Sequence, residues 1–497
     1  MGIVDQHDNT GGLRPVSQLI VRLIEGGRGV WRVRGRKRRI GVKLSPLLAL
    51  FVVLASCSTS DPSASGGAAA PRPNILLILT DDHGPSDSLL AMPNVQSEIV
   101  QKGIDFSNSF VTNPVCCPSR ATILAGRYSH STGVYTNESP LHYAAFRDDE
   151  KSTVATWLKN AGYHTALIGK YMNGYSGSAV PPGWERWVAF KGVAGYYNYT
   201  LREDGAIISY GSTEADYSTD VLATKAIDFI RGVPANEPFF VHFSPYAAHG
   251  PLIAANRHLD AFTTTTFERS PSFTEADVSD KPAWVRNLAL KKAGAIDNFR
   301  REQLRTLLAA DEAVANIIDT LESTGRLANT LIMFGSDNGY ARGEHRFTGK
   351  WAPYEEALRV PTAIRYDALI STPRSDPHLV LNVDWAQTFA EIGGVSAPGA
   401  EGRSLVPLLT NPTAAWRTEF LIEHVQANDP VPTYCGIRDR RYVYVRYATG
   451  EEELYDLSTD PYQLTNRAKD PSFASLLGDQ PTRLKTLCNP PPPGLTL

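Results

Sequence analysis

Cysteine and methionine are scarce in this sequence, at five and four of 497 residues. No CxxC pair and no Cys/His cluster with zinc spacing occurs, which argues against zinc-ribbon and thioredoxin-type sites. No apolar run reaches the roughly 20 residues that a helix needs to cross a bilayer core. No short internal period is present, which argues against a solenoid. Neither sign of charge dominates, since 49 Lys and Arg face 52 Asp and Glu. That average conceals an asymmetry. Residues 1–57 hold ten Lys/Arg and three acids, so the rest of the chain stands at −10 against a total of −3. An acidic body argues against a nucleic-acid partner, while leaving room for a small basic pocket that takes one anion. Hydrophobic residues at 42% and charged residues at 20% are ordinary for a globular protein. The length suits one large α/β domain with a smaller one.

The first segment reads as an address. A basic stretch from Arg32 to Lys43 precedes nine apolar residues, Leu47 to Ala55. Nine residues rise only about 14 Å as a helix, too little to span the membrane. Basic then short apolar is the order of a secretory signal. Leu54-Ala55-Ser56-Cys57 resembles the lipobox of bacterial lipoproteins, which implies lipidation at Cys57; a plain cleaved signal with an incidental cysteine is the other reading. Residues 58–73, rich in Ser, Ala, Gly and Pro, form a tether. The expected organisation is therefore signal segment 1–57, tether 58–73, catalytic α/β domain 74–414 and C-terminal subdomain 415–497, in an extracytoplasmic, lipid-anchored or secreted protein. In an oxidising compartment Cys435 and Cys488 are expected to pair.

The body alternates buried strands with amphipathic helices. Strands are expected at Asn74–Thr80, Thr165–Gly169, Pro238–Phe243 and Thr330–Phe334. Helices are expected at Ser152–Ala161, with Ser152 as a possible cap, at Thr219–Arg231 and at Gln303–Leu321. Asp311 falls on the apolar stripe of the last and reads as a locally paired structural acid. This order predicts a mostly parallel sheet covered by helices on both faces. From about residue 415, short strand-like runs predict a small antiparallel sheet with a terminal helix. Asp81-Asp82, Lys170, His249 and Asp337-Asn338 each follow a predicted strand or its loop, and open α/β sheets bind ligands beyond those ends.

The most informative stretch is Pro114-Val-Cys-Cys-Pro-Ser-Arg-Ala-Thr-Ile-Leu-Ala-Gly-Arg127. Cys116-x-Pro118-Ser119-Arg120 followed by Leu-Ala-Gly126-Arg127 resembles the signature of type I sulfatases. The resemblance implies an alkaline-phosphatase-like α/β fold and conversion of Cys116 to Cα-formylglycine by a maturation enzyme. Cleaving a sulfate monoester requires a nucleophile at sulfur, charge on the sulfuryl oxygens and a proton for the leaving oxygen. Hydrated formylglycine implies two hydroxyls on one carbon, one to attack and one to expel sulfate. Asp81, Asp82, Asp337 and Asn338 match the family's metal-binding positions, completed by the group at 116. Their oxygen donors suit a hard cation such as Ca²⁺. Arg120, Lys170, His249 and Lys350 match the arginine, two lysines and substrate-facing histidine of the family.

One position departs. Many sulfatases carry a histidine two residues after the first lysine, where this chain has Met172. The context Gly169-Lys-Tyr-Met-Asn-Gly-Tyr-Ser-Gly, with Pro181-Pro-Gly-Trp, resembles the N-acetylglucosamine-6-sulfatase and extracellular endosulfatase branch, which also lacks it. The base for sulfate release is then unassigned, with His345 a candidate. Resemblance covers about residues 74–470 and implies a sulfated small molecule or glycan as substrate. Two other readings stand beside it: a phosphoesterase or phosphonate hydrolase of the same fold, and a binding protein for sulfated glycans with Cys116 unmodified.

Overall fold

Every residue from Asn74 to Thr80 is buried, and the run divides its side chains between two cores. Ile75, Leu77 and Leu79 enter one cluster, Leu76 and Ile78 the other. The period-two geometry of a strand makes a continuous apolar run serve both faces of a covered sheet. The structure, a computed structural model, describes residues 72–84, 89–177 and 179–497. The signal segment, Cys57 and most of the tether lie outside the described residues.

This strand lies inside a ten-stranded sheet. In chain order the strands are Asn74–Thr80 (β1), Ile104–Phe106 (β2), His164–Gly169 (β3), Arg186–Phe190 (β4), Thr200–Glu203 (β5), Ala206–Ser209 (β6), Phe239–Ser244 (β7), Thr330–Ser336 (β8), Thr362–Arg365 (β9) and Arg374–Asp376 (β10). They lie in the order β10-β2-β9-β8-β1-β7-β3-β4-β5-β6. The inner strands β8, β1, β7, β3 and β4 run parallel, while β9 and the hairpin β5–β6 are antiparallel to their neighbours. The sheet is thus parallel at its centre and mixed at its margins.

Helices cover both faces. Cys116–Ala125 (α1), Val154–Asn160 (α2) and Trp385–Ile392 (α5) supply residues to the Leu77 core. Ser218–Gly232 (α3) and Ala293–Ser323 (α4) supply the Leu76 core. Helix α4 is longer than its apolar stripe indicated. Asp311, on its buried side, accepts from the backbone N–H groups of Asn94 (3.0 Å) and Val95 (2.9 Å) and from Asn94 Nδ2 (2.7 Å), so it is indeed a locally paired acid. Ser152 does not cap α2. Thr153 takes that place in a capping box with Thr156, and the Ser152 hydroxyl accepts from the Trp157 indole at 3.1 Å.

The C-terminal region forms a separate antiparallel sheet of Glu419–His424 (β11), Tyr434–Asp439 (β12), Tyr442–Tyr447 (β13) and Glu452–Asp456 (β14). Alternation again divides its side chains. Phe420, Ile422 and Tyr434 pack on Phe110, Trp284 and Tyr354 of the larger part. Leu421, Cys435 and Leu454 pack under the terminal helix Ala474–Leu487 (α6). Cys435 and Cys488 are joined as a disulfide, with Cα atoms 6.5 Å apart and a sequence separation of 53. For a loop of that length, reduction is expected to lower unfolding stability by about 2–4 kcal/mol. Equal denaturant midpoints with and without reductant would contradict this.

Candidate active site

Four neighbouring parallel strands deliver the site. Asp81 and Asp82 follow β1, Asp337 and Asn338 follow β8, Lys170 follows β3, and His249 lies in the loop after β7. The loops are laced together at the backbone. Asp81 N–H donates to the Ala247 carbonyl (2.9 Å), Ala248 N–H to the Asp81 carbonyl (2.7 Å), and Asp337 N–H to the Thr80 carbonyl (3.1 Å). Cys116 is the first residue of α1, and all ten residues of that helix are buried. Its terminal N–H groups and dipole make this end of the site attractive to an anion.

The side chains converge. Lys350 Nζ lies 2.6 Å from Cys116 Sγ and 2.6 Å from Asp82 Oδ1. Cys116 Sγ is 3.6 Å from Asp81 Oδ1. Lys170 Nζ pairs with Asp81 Oδ2. Arg120 donates from Nε to Asp337 Oδ2 (2.7 Å), from Nη2 to Asp81 Oδ2 (3.4 Å), and from Nη1 to the Lys170 carbonyl (2.7 Å) and Ser244 Oγ (2.8 Å). His249 Nε2 lies 3.7 Å from Asp82 Oδ2. Its Nδ1 is 2.5 Å from the Gly250 carbonyl, which only accepts, so Nδ1 carries a proton. Asn338 Nδ2 donates to Asp82 Oδ1 at 2.7 Å, while its buried Oδ1 has no hydrogen-bond partner among the described residues. One ligand atom from each of Asp81, Asp82, Cys116 and His249 lies within 4.8 Å of the others, a grouping able to hold a metal ion. All nine residues expected from the sequence therefore meet in one place.

Burial and charge set the protonation. Burial alone would push the Asp81 and Asp82 carboxyls up, but the nearby lysines and His249 hold both below the usual range. Asp337 moves the other way, raised by burial and by Asp81 against the pull of Arg120. Burial opposes charge on Lys170 and Lys350, yet the carboxylates keep both ammoniums above their ordinary values. The Cys116 thiol is pushed up to about 12 by burial, despite both lysines. As an unmodified thiol it is a poor nucleophile near neutral pH.

Some contributors escaped sequence reading. Ser244, last residue of β7, holds Arg120. Tyr246 packs against His249 with its ring tilted by 32° (ring centroids 4.9 Å) and lies under the Lys170 ammonium at 5.9 Å. The only signal for either was a polar residue at the end of an apolar strand. Met172 packs in the aromatic cluster with Tyr143, Tyr171 and Trp187 and has no proton to exchange. His345 bonds Glu275 Oε2 through Nδ1 at 2.8 Å and stacks on Tyr354 at 4.0 Å. Among the described residues it makes no hydrogen bond to Cys116, Lys170 or Lys350.

Gly169 sets the height of Lys170. Its φ is +123°, and a Cβ there would sit 1.9 Å from the Ser244 carbonyl oxygen, the group that accepts from Lys170 N–H at 2.8 Å. Gly169→Ala is expected to cost on the order of 3 kcal/mol of stability. A denaturation midpoint equal to that of the unsubstituted chain would refute that close approach.

Comparison with known proteins shows the family. Residues 72–395 match the Sulfatase family, and residues 343–489 match N-sulphoglucosamine sulphohydrolase, C-terminal. The extracellular sulfatase SULF-1 homolog of Drosophila melanogaster is 36% identical over 378 residues, covering 72% of this chain and 34% of that protein. The chain thus spans about a third of that relative's length. The N-acetylglucosamine-6-sulfatase of Homo sapiens is 31% identical over 508 residues, covering 91% of this chain and 90% of that protein. A solved structure described as bound to its substrate D-glucosamine-2-N,6-O-disulfate superposes with TM-score 0.76 at 26% identity, covering 86% of this chain and all of the other. With a family match over residues 72–395 and a relative of 31% identity covered almost end to end, the chain belongs to the sulfatase family.

Proposed function

We propose that this chain hydrolyses a sulfate monoester of a sugar, of the 6-sulfated N-acetylglucosamine class, to the alcohol and inorganic sulfate. The observation that carries the reading is Lys350 Nζ, 2.6 Å from both Cys116 Sγ and Asp82 Oδ1, with Asp81, Asp337, Arg120 and Lys170 packed around them. Buried charges are costly unless paired, and a thiol among them serves no evident structural need. The sugar preference rests on the human relative and on the ligand of the superposed structure.

Cys116 is the position for formylglycine, installed by a maturation enzyme; that group supplies paired hydroxyls on one carbon, one to attack sulfur and one to release sulfate. Asp81, Asp82, Asp337 and Asn338 would hold one divalent cation together with the group at 116. The unpartnered Asn338 Oδ1 and an oxygen-only set of side chains favour Ca²⁺. Such an ion supplies Lewis acidity toward a hydroxyl at position 116. Charge arithmetic agrees: three carboxylates already balance Arg120, Lys170 and Lys350, so a further divalent cation leaves the pocket positive for an anionic ester.

The chain's own groups divide the remaining work. Lys170 and Lys350 bind sulfuryl oxygens as compact point charges. Arg120 is committed to Asp81, Asp337, Ser244 and the Lys170 carbonyl, and holds the acids in place. With its Nδ1 proton tied to Gly250, neutral His249 presents a bare Nε2; once Nε2 has taken a proton from solvent, the imidazolium passes that proton to the leaving oxygen. Burial lowers the imidazole's pKa while Asp82 and Asp81 pull it back, and an arriving anion adds to that pull. The signal segment and the extracellular naming of the fly relative favour an extracytoplasmic, lipid-anchored protein that meets its substrate outside the cell.

On protein from its native host, the peptide containing Cys116 should carry the mass of an aldehyde in place of the thiol. Cys116→Ala should lower kcat/KM by about 10⁴-fold or more without moving the unfolding midpoint. Chelation should remove turnover and added Ca²⁺ restore it. A persisting thiol, or activity surviving in Cys116→Ala, would overturn the mechanism. Faster turnover of nitrophenyl phosphate than of nitrophenyl sulfate would favour the phosphoesterase alternative.

A further inference from the structure

The C-terminal antiparallel sheet sends polar side chains into the loop that carries Lys350. That loop turns sharply. Gly349 has φ +138° and Trp351 φ +78°, a conformation that a residue with a side chain holds only when its surroundings fix it. The Trp351 peptide is gripped from two sides. Its N–H donates to the Pro114 carbonyl at 3.1 Å, two residues before Cys116. Its carbonyl accepts from the Tyr434 hydroxyl of β12 at 2.9 Å. Three residues on, the Tyr354 hydroxyl donates to Glu453 Oε1 of β14 at 2.8 Å. Glu453 is fully buried and also accepts from Tyr455 (2.5 Å) and Tyr447 (2.6 Å). Three phenols thereby donate to one buried carboxyl group. Arg438 of β12 adds hydrogen bonds to Glu355 at 3.0 and 3.2 Å. The same sheet reaches the Cys116 segment, where Glu423 N–H donates to the Thr112 carbonyl at 2.9 Å.

We infer that Tyr434 and Glu453 are positioning residues, and that the C-terminal sheet aims the Lys350 ammonium at the group on Cys116. Neither residue touches the reacting atoms. Each acts through the backbone or a neighbour of Lys350. Lys350 Nζ is held 2.6 Å from both Asp82 Oδ1 and Cys116 Sγ, and a side chain of fixed length reaches both only while its backbone stays where it is pinned. The inference rests on the reading of Lys350 as a sulfuryl-binding group.

Tyr434→Phe removes one hydroxyl and leaves the packed ring. In the matured enzyme it should lower kcat about 10- to 100-fold with little change in KM. In a Lys350→Ala background the same substitution should have almost no further effect, because the ammonium it aims is absent. In a Gly169→Ala background it should retain its full effect. Glu453→Gln should fall between, as an amide oxygen still accepts from the phenols. Amide exchange supplies a readout free of turnover: residues 350–354 should exchange about tenfold or more faster in Tyr434→Phe, with residues 164–169 unchanged. Unchanged exchange in 350–354, or an undiminished loss in the Lys350→Ala background, would overturn the inference. If unsubstituted matured protein released no sulfate, the functional reading would fail while the exchange comparison still decided whether the sheet pins the loop.

Discussion

A buried balance of charge governs this molecule. Asp81, Asp82 and Asp337 meet Arg120, Lys170 and Lys350 in a buried cluster, where an unpaired member would be severely destabilising. Such a cluster survives only if every partner is held at hydrogen-bond distance. The rigid parallel centre of the sheet meets that demand. Backbone bonds between the loops after β1, β7 and β8 fix the acids relative to one another before any side chain is placed. Arg120 then spans the interval, with its guanidinium touching Asp81, Asp337, Ser244 and the Lys170 carbonyl. Its planar fork suits that task better than an ammonium.

The same balance bears on chemistry. Charge neutrality among fixed groups leaves the pocket without surplus attraction for an ester anion, so a bound divalent cation would shift the site toward anion capture. It also explains the high pKa of the unmodified thiol, since burial outweighs the lysines when the acids cancel them. A thiol in this setting is inert, which is consistent with a position whose chemistry comes from modification.

The smaller sheet changes how the chain is divided. A boundary near residue 415 separates two sheets, but Phe110, Trp284 and Tyr354 share one apolar cluster with Phe420, Ile422 and Tyr434. The Sulfatase match ends at 395 and the C-terminal match begins at 343, so the two overlap across the Lys350 loop. That overlap has a physical counterpart, since the loop is gripped by both parts.

The sequence alone made the four central strands β1, β3, β7 and β8 and the chemistry-bearing residue types legible. Apolar runs such as Asn74–Thr80 have one use in a covered sheet, and the Cys116–Arg127 motif is too specific to mislead. Asp81, Asp82, Asp337 and Asn338 were legible because each pair follows such a run. Asp311 was readable as a paired acid because an exposed role was impossible on an apolar stripe. Tertiary structure alone decided the rest. Strand order is set by packing and not by local pattern, and only that order makes β8, β1, β7 and β3 neighbours. Ser244 acquires its role from Arg120 and Tyr246 part of its own from Lys170, each more than seventy positions away, so a polar residue near a strand end could not announce its partner. Likewise the hold of Tyr434 and Glu453 on the Lys350 loop exists only once two sheets have docked. Spacing in sequence carries no information about which carbonyl a buried hydroxyl will find.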